Sequence, residues 1–256
     1  MRLTILGCAG SVPGPGTNAS GYLLEADGFV LGLELGNGTV STLQQLRDPF
    51  DLDALLLSHL HPDHCADFAA LTVIRRYHPV RPYPRRPQRL PVFGPPDTEQ
   101  RLVNLYAPNE VERAETDLGD VYAFAPLPAE TTAIGPFEVR AIEVCHPTPA
   151  YGVRIGHGGK TLAYTGDTGI CPALEELAAG VDVLLSEATW TDADDRPPGI
   201  HLSGVEAGEL AARAGAGRLL VTHIAPWTDQ AKIHAEVQAA FDGPSELIVQ
   251  GASYHL

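Results

Sequence analysis

Leu55-Leu56-Leu57-Ser58-His59-Leu60-His61-Pro62-Asp63-His64 runs from three apolar residues straight into four side chains that can ligate a metal. Residues two apart on an extended chain face the same way, so His59 and His61 can hold one cation from the end of a strand. Pro62 ends that geometry, and Asp63 and His64 fall on the turn into a helix, where they can reach a neighbouring position. Imidazoles crowded in this way would repel one another once protonated and would gain little from packing. Metal binding is the reading that explains them.

Further ligand candidates recur downstream at the ends of strand-like runs. His146 follows Val139–Val144, Asp167 follows Leu162-Ala163-Tyr164-Thr165-Gly166, and His223 follows Leu219-Leu220-Val221-Thr222. Each alone reads equally well as a hydrogen-bonded histidine or a turn-forming aspartate. Together with the first cluster they make five histidines and two aspartates. That is the inventory for two metals sharing one carboxylate.

The surroundings are those of an α/β chain. Strands are expected at Leu3–Leu6, Tyr22–Glu25, Val30–Leu35, Ala54–Ser58, Val92–Phe93 and Val121–Ala125. The second half adds Phe137–Val144, Gly152–Ile155, Thr161–Thr165, Val183–Glu187, Arg218–Thr222 and Leu247–Val249. Helical periodicity marks Ala66–Arg76, Thr98–Tyr106, Ala173–Ala179, Gly204–Gly215 and Gln230–Phe241. Ser203 and Glu206 form a capping box for the fourth of these. No stretch reads as a linker, so residues 1–256 are expected to form a single domain. Arg75–Arg89, rich in arginine and proline, is expected to be an extended surface segment, because its prolines exclude a regular helix or a central strand. It reads as a phosphate grip or as a solvated loop.

Seventeen basic against 32 acidic residues give a net charge of −15. Such a field repels polyanions at long range, which disfavours non-specific nucleic-acid binding. A bound metal can still invert the sign at one site. No apolar run approaches the roughly 18–20 residues of a membrane-spanning helix, and the apolar stretch at the start is too short for a secretory signal. A cytoplasmic location with no membrane partner is expected. Cys8, Cys65, Cys145 and Cys171 form no CxxC pair and read as small buried hydrophobes in a reducing compartment.

The motifs HLHPDH, CHPTPAYGVRI, AYTGDT, SEAT, HLSG and VTHI, in that order, resemble the metallo-β-lactamase-fold hydrolases. Within that family the ribonuclease Z-like phosphodiesterase branch is the one they look like, and the likeness covers essentially the whole chain. The resemblance implies a four-layer αββα sandwich with metals at one edge of the paired sheets. It also implies that His59, His61 and His146 bind a first zinc, that Asp63, His64 and His223 bind a second, and that Asp167 bridges both. Manganese or iron are alternatives for such nitrogen-rich ligation with carboxylates. A hydroxide bridging the two cations is the expected nucleophile, since metal binding lowers the pKa of water from about 15.7 to about 7.

Glu187 in SEAT and His201 in HLSG resemble a paired Glu and His that this branch places beside the scissile phosphate. Glu187 would orient and charge His201, and His201 would protonate the leaving oxygen. Asp63 is counted with them among the catalytic side chains. Ser58 and Thr165 are expected to hydrogen-bond to the ligands they flank. Glu34 stands where the family usually has an Asp supporting the metal loop, one methylene longer. Trp227 can stack on a base or pack against helices.

The tRNA-processing members carry a long basic arm, for which the span from Gly152 to Gly166 leaves no room. The loop Gly10–Ser20 keeps Asn18 but has Gly and Thr where those enzymes carry basic residues. RRYHP, GDTGICP, HLSGVEAG and THIAPWT resemble instead a subgroup of actinobacterial type associated with cyclic-nucleotide phosphodiesterase activity. The expected substrate is therefore a small anionic phosphodiester such as a 3′,5′-cyclic nucleotide, with tRNA disfavoured. The alternatives, in order, are a tRNA 3′-end endonuclease, a lactone, thioester or sulfate-ester hydrolase, and a non-catalytic binding module. The family often forms homodimers, and a homodimer stays open here.

Overall fold

The computed structural model describes residues 1–79, 89–193 and 195–256. The first sheet holds β1 (Arg2–Gly7), β2 (Gly21–Ala26), β3 (Phe29–Leu33), β4 (Ala54–Leu56), β5 (Leu90–Gly94) and β6 (Tyr122–Pro126) in that order. The second runs from β7 (Thr132–Ile134) through β8 (Phe137–Glu143), β9 (Tyr151–His157), β10 (Lys160–Tyr164), β11 (Val183–Glu187) and β12 (Leu219–Thr222) to β13 (Ser245–Leu247). The last strand, β14 (Ser253–His255), returns to the first sheet and pairs with β1, so each sheet has seven strands.

Period-two alternation assigns each side chain its layer. Leu3, Ile5, Tyr22, Leu24, Leu31 and Leu33 face inward and meet Phe137, Val139, Val153, Ile155, Leu162 and Leu185 of the second sheet. Leu6, Leu23, Val30 and Leu55 face outward, under α1 (Thr39–Leu46), α3 (Phe68–Tyr77) and α4 (Thr98–Tyr106). Between α1 and α3 lies the single turn α2 (Pro62–Cys65), and beyond α4 the exposed α5 (Glu110–Glu115). On the far side, α6 (Ala173–Ala178), α7 (Gly204–Ala214) and α8 (Gln230–Ala240) cover Ala163, Leu184, Leu219 and Val221. The result is the four-layer αββα sandwich. A fully buried leucine contributes about 1.5–3 kcal/mol, and a one-residue slip would move a strand's whole inward set to the other face. The register that carries the site is therefore tightly specified.

Two expectations need correction. Arg75 and Arg76 are not part of an extended segment, because the first proline of that stretch is Pro79 and α3 continues to Tyr77. Arg75 is buried with its guanidinium 5.4 Å from the centroid of the Phe50 ring, and Arg76 donates from Nε and Nη2 to Asp120 at 2.9 and 2.6 Å. Residues 80–88 of the same stretch lie outside the described residues. All four cysteines are free, as expected, but only Cys65 is buried: Cys8 and Cys171 are half-buried and Cys145 is exposed. Among the described residues no helix is long and apolar enough to cross a membrane.

Candidate metal centre

The C-terminal ends of β4, β8, β10, β11 and β12 open on one rim. After β4 the chain carries His59 and reaches His61, the N-cap of α2. Pro62 at the first helical position has no N–H to lose there. The tight turn folds His64 back so that its ring centroid lies 4.1 Å from that of His59. Gly166 (φ +59°) turns the chain after β10 to present Asp167. His223 follows β12 with φ +55°, a conformation that costs a non-glycine residue free energy and persists at functional sites.

Two groups of ligand atoms result, and Asp167 belongs to both. One is His59, His61, His146 and Asp167; the other is Asp63, His64, Asp167 and His223; within each the donor atoms lie within 4.8 Å of one another. His61 Nδ1 is 3.0 Å from His59 Nε2 and 3.2 Å from His146 Nε2. In the second group, His223 Nε2 is 3.2 Å from His64 Nε2, 3.1 Å from Asp63 Oδ2 and 3.3 Å from Asp167 Oδ2. A tetrahedral zinc with bonds of about 2.0–2.1 Å separates its ligands by about 3.3 Å. The buried Asp167 Oδ1 makes no well-formed hydrogen bond among the described residues, with His64 Nε2 3.2 Å away. Both observations fit a divalent cation in each group.

The outward nitrogens explain why the inward ones converge. His146 Nδ1–H donates to the Ile200 carbonyl (3.0 Å) and His223 Nδ1–H to Thr189 Oγ1 (2.8 Å), whose own proton goes to Glu187, while His59 Nδ1 hydrogen-bonds with Ser58 Oγ (3.1 Å). The first two bonds fix the tautomer that leaves Nε2 as a lone pair, and all three hold the rings with Nε2 aimed at the cluster. Ser58 thus acts as the sequence suggests. Thr165 does not: its hydroxyl donates to the Gly166 carbonyl and accepts the Glu187 N–H, so it steadies the backbone at Glu187 rather than a ligand. Glu34, despite its extra methylene, reaches the loop. Held at φ +60°, it accepts the Ser58 N–H on both carboxylate oxygens (3.2 and 3.1 Å) and stands 3.4 Å from His64 Nδ1.

Burial and charge divide the titrating groups. Burial pushes His59, His61 and His146 below the usual imidazole value, which favours the neutral, metal-ready form. Burial opposes charge on Asp63 and Asp167 too, yet His223 and His64 at both, with His59 at Asp167, hold these carboxyls well below their ordinary range. At His64 the desolvation of burial is outweighed by Asp167 and Glu34, which raise it. A cluster this rich in carboxylates needs positive charge.

Beside the cluster, His201 Nδ1 lies 3.0 Å from Glu187 Oε1. Glu187 is fully buried and also accepts the Thr168 N–H (2.6 Å) and the Thr189 hydroxyl (3.0 Å). Burial would lower His201, but the Glu187 carboxylate overrides it and pushes the imidazole up to about 9. Trp190 meets the His201 ring edge-on at 5.2 Å, whereas Trp227 is 70% exposed, so the option of packing under helices falls away.

Three contributors escaped the sequence. Thr189 links His223 to Glu187 with one hydroxyl. The Ser11 N–H donates to Asp63 Oδ2 at 2.9 Å. Gly36 lies so close to the ligand turn that a Cβ would sit 1.9 Å from the Asp63 carbonyl oxygen and 2.8 Å from that of Ser20. Thr189 is the T of SEAT and Ser11 lies in the early loop Gly10–Ser20, but what each of the three does depends on a partner far off in the sequence. Gly36→Ala is expected to cost about 1–3 kcal/mol of stability through overpacking and to weaken metal retention by displacing Asp63. Thermal unfolding and metal content of the purified variant check both.

The β-lactamase superfamily domain matches residues 35–224, and the chain belongs to that superfamily. It is a metal-dependent hydrolase with the metallo-β-lactamase fold. An uncharacterised protein of Mycobacterium leprae (strain TN) is 45% identical over 260 residues, covering 100% of this chain and 89% of that protein. Probable metallo-hydrolase YhfI of Bacillus subtilis (strain 168) is 28% identical over 252 residues, 98% of each chain. Its crystal structure gives a TM-score of 0.85 at 27% identity, over 99% of this chain and 98% of that one. Ribonuclease Z of Mycolicibacterium gilvum (strain PYR-GCK) is 28% identical over 256 aligned positions, 88% of this chain and 85% of its own.

Proposed function

We propose that the protein hydrolyses a small anionic phosphodiester, such as a 3′,5′-cyclic nucleotide, at a centre of two zinc ions, with the whole chain acting as one domain. The convergence of seven ligand side chains, with Asp167 common to both groups, carries this reading. His59, His61 and His146 would hold one cation and Asp63, His64 and His223 the other, with Asp167 between them. Bound there, such cations polarise phosphoryl oxygens and lower the pKa of a water. The remaining work falls to the chain itself. Glu187 holds His201 by Nδ1, so Nε2 is the atom left to give a proton to the leaving oxygen. A cytoplasmic, reducing setting suits the free thiols.

Three features favour a small diester over tRNA. The net charge of −15 works against a polyanion. Strands β9 and β10 pair directly from His157 and Lys160 across the turn Gly158-Gly159, so no arm extends there. Asn18, in the early loop, spends its side-chain amide on Leu6, Gly38 and Thr42 within the fold rather than offering it outward. The test is a panel of 3′,5′-cyclic nucleotides, bis(4-nitrophenyl) phosphate and a precursor tRNA with the zinc-loaded protein. Cleavage of the small diesters at a kcat/KM at least tenfold above that for precursor tRNA is expected. Efficient tRNA cleavage with the small diesters left intact would overturn the reading in favour of a tRNA 3′-end endonuclease.

A further inference from the structure

A cavity of 570 Å³ opens beside His201, between Ile170 and the run Pro197-Pro198-Gly199. Its size falls within the range of sites that take small organic ligands, about 300–1,000 Å³. Ile170 is 59% exposed although it is large and apolar, and with the two prolines it gives an otherwise polar cavity one apolar side. The charged lining is already paired. Arg196 donates from Nη1 to Glu206 Oε2 (2.7 Å), and from Nη2 to Glu206 Oε1 (2.9 Å) and Asp192 Oδ1 (2.9 Å). Its Nε–H goes to the Ala193 carbonyl at 3.2 Å. With the His201 imidazolium balanced by its Glu187 partner, one guanidinium against Asp192 and Glu206 leaves an excess negative charge at that end of the cavity, and little of the arginine remains for an incoming anion.

We propose that this cavity receives the leaving alcohol of the diester, and that it admits an uncharged organic group of up to nucleoside size while rejecting one that carries a further anionic group. The inference rests on the phosphodiester reading above. His201 lines the cavity and is the group that protonates the leaving oxygen, so the alcohol departs on this side. A leaving strand of RNA would bring one phosphate per nucleotide against Asp192 and Glu206, a like-charge contact in a partly desolvated site. In a 3′,5′-cyclic nucleotide the leaving oxygen stays on the nucleoside that carries the reacting phosphate, so no second phosphate enters the cavity, and a simple alcohol brings none either.

Two chromogenic diesters test this in the zinc-loaded protein: phenyl 4-nitrophenyl phosphate and phenyl 3-carboxy-4-nitrophenyl phosphate. In both, water adds to phosphorus, the bond to the nitrophenol breaks, and phenyl phosphate and the nitrophenol are released. The leaving groups are of similar acidity and differ by one carboxylate. The wild-type kcat/KM is expected to be at least tenfold lower for the carboxylated ester. Ile170→Arg should narrow that ratio at least threefold and Ile170→Glu should widen it, the exposed position leaving the fold intact. A wild-type ratio near one, or a ratio that neither variant moves, overturns the cavity assignment while leaving the diesterase reading in place. Failure to hydrolyse either ester, together with inactivity on the small diesters of the panel, overturns both.

Discussion

His201→Ala is expected to keep the full metal content and to lower kcat on the proposed 3′,5′-cyclic nucleotide substrate by about 10²–10⁴-fold, the usual contribution of a positioned general acid. The expectation follows from where the side chain is anchored. Its Nδ1 is committed to Glu187 at 3.0 Å, and that carboxylate sits in a ring of donors from Thr168 and Thr189 that fixes its own position. His201 is absent from both groups centred on Asp167, although it forms a third cluster with Glu187 and His223. Metal content decides between an acid and a ligand, since a lost ligand costs bound metal. The leaving group gives a second discrimination. A sugar alkoxide needs the proton, whereas 4-nitrophenolate departs as a stable anion, so the variant should be far less impaired on bis(4-nitrophenyl) phosphate. Equal losses on both substrates would assign His201 to structure instead.

Asp167→Ala is expected to abolish activity, by at least about 10³-fold in kcat/KM, and to release at least one metal equivalent. Its carboxylate faces His59 at 3.6 Å, His64 at 3.2 Å and His223 at 3.3 Å. It is the only side chain shared by the two groups built around these histidines. Two cations roughly 3.5–4 Å apart repel strongly, and an anion between them is what makes the pair tolerable. In the proposed centre Asp167 would be that anion, and alanine removes it. It also leaves His64 facing a diminished set of carboxylates in a fully buried position. Asp167→Asn, which keeps the shape and loses the charge, should retain the melting temperature better than alanine yet recover little activity. Elemental analysis, thermal unfolding and steady-state rates on the two variants separate the electrostatic part from the packing part.

The sequence disclosed what repeats or alternates. Thr98–Tyr106 was legible from helical spacing alone and is observed with the same limits. The candidate ligands were legible because a histidine or aspartate follows one strand after another, a recurrence that no single residue reveals, and the structure brings those side chains together. What escaped depends on distant partners. Helix α1 opens after Gly38, which offers no side-chain cap, and its Val40 N–H is met by Asp67 at 2.9 Å, 27 residues away. Helix α5 buries no residue, so it carries no apolar period to detect. The short strands β7 and β14 are too brief to alternate. At the site, Gly36, Ser11 and Thr189 contribute space, a backbone N–H and a linking hydroxyl. Those contributions exist only once each sheet has assembled and brought together loops that are far apart in the sequence.

Elemental analysis of the active protein after zinc loading and exhaustive desalting tests the central claim most directly. The account predicts two equivalents of metal per chain, with activity lost on chelation and restored as the sites refill. One equivalent or fewer in fully active protein, or activity that survives complete removal of metal, would contradict it.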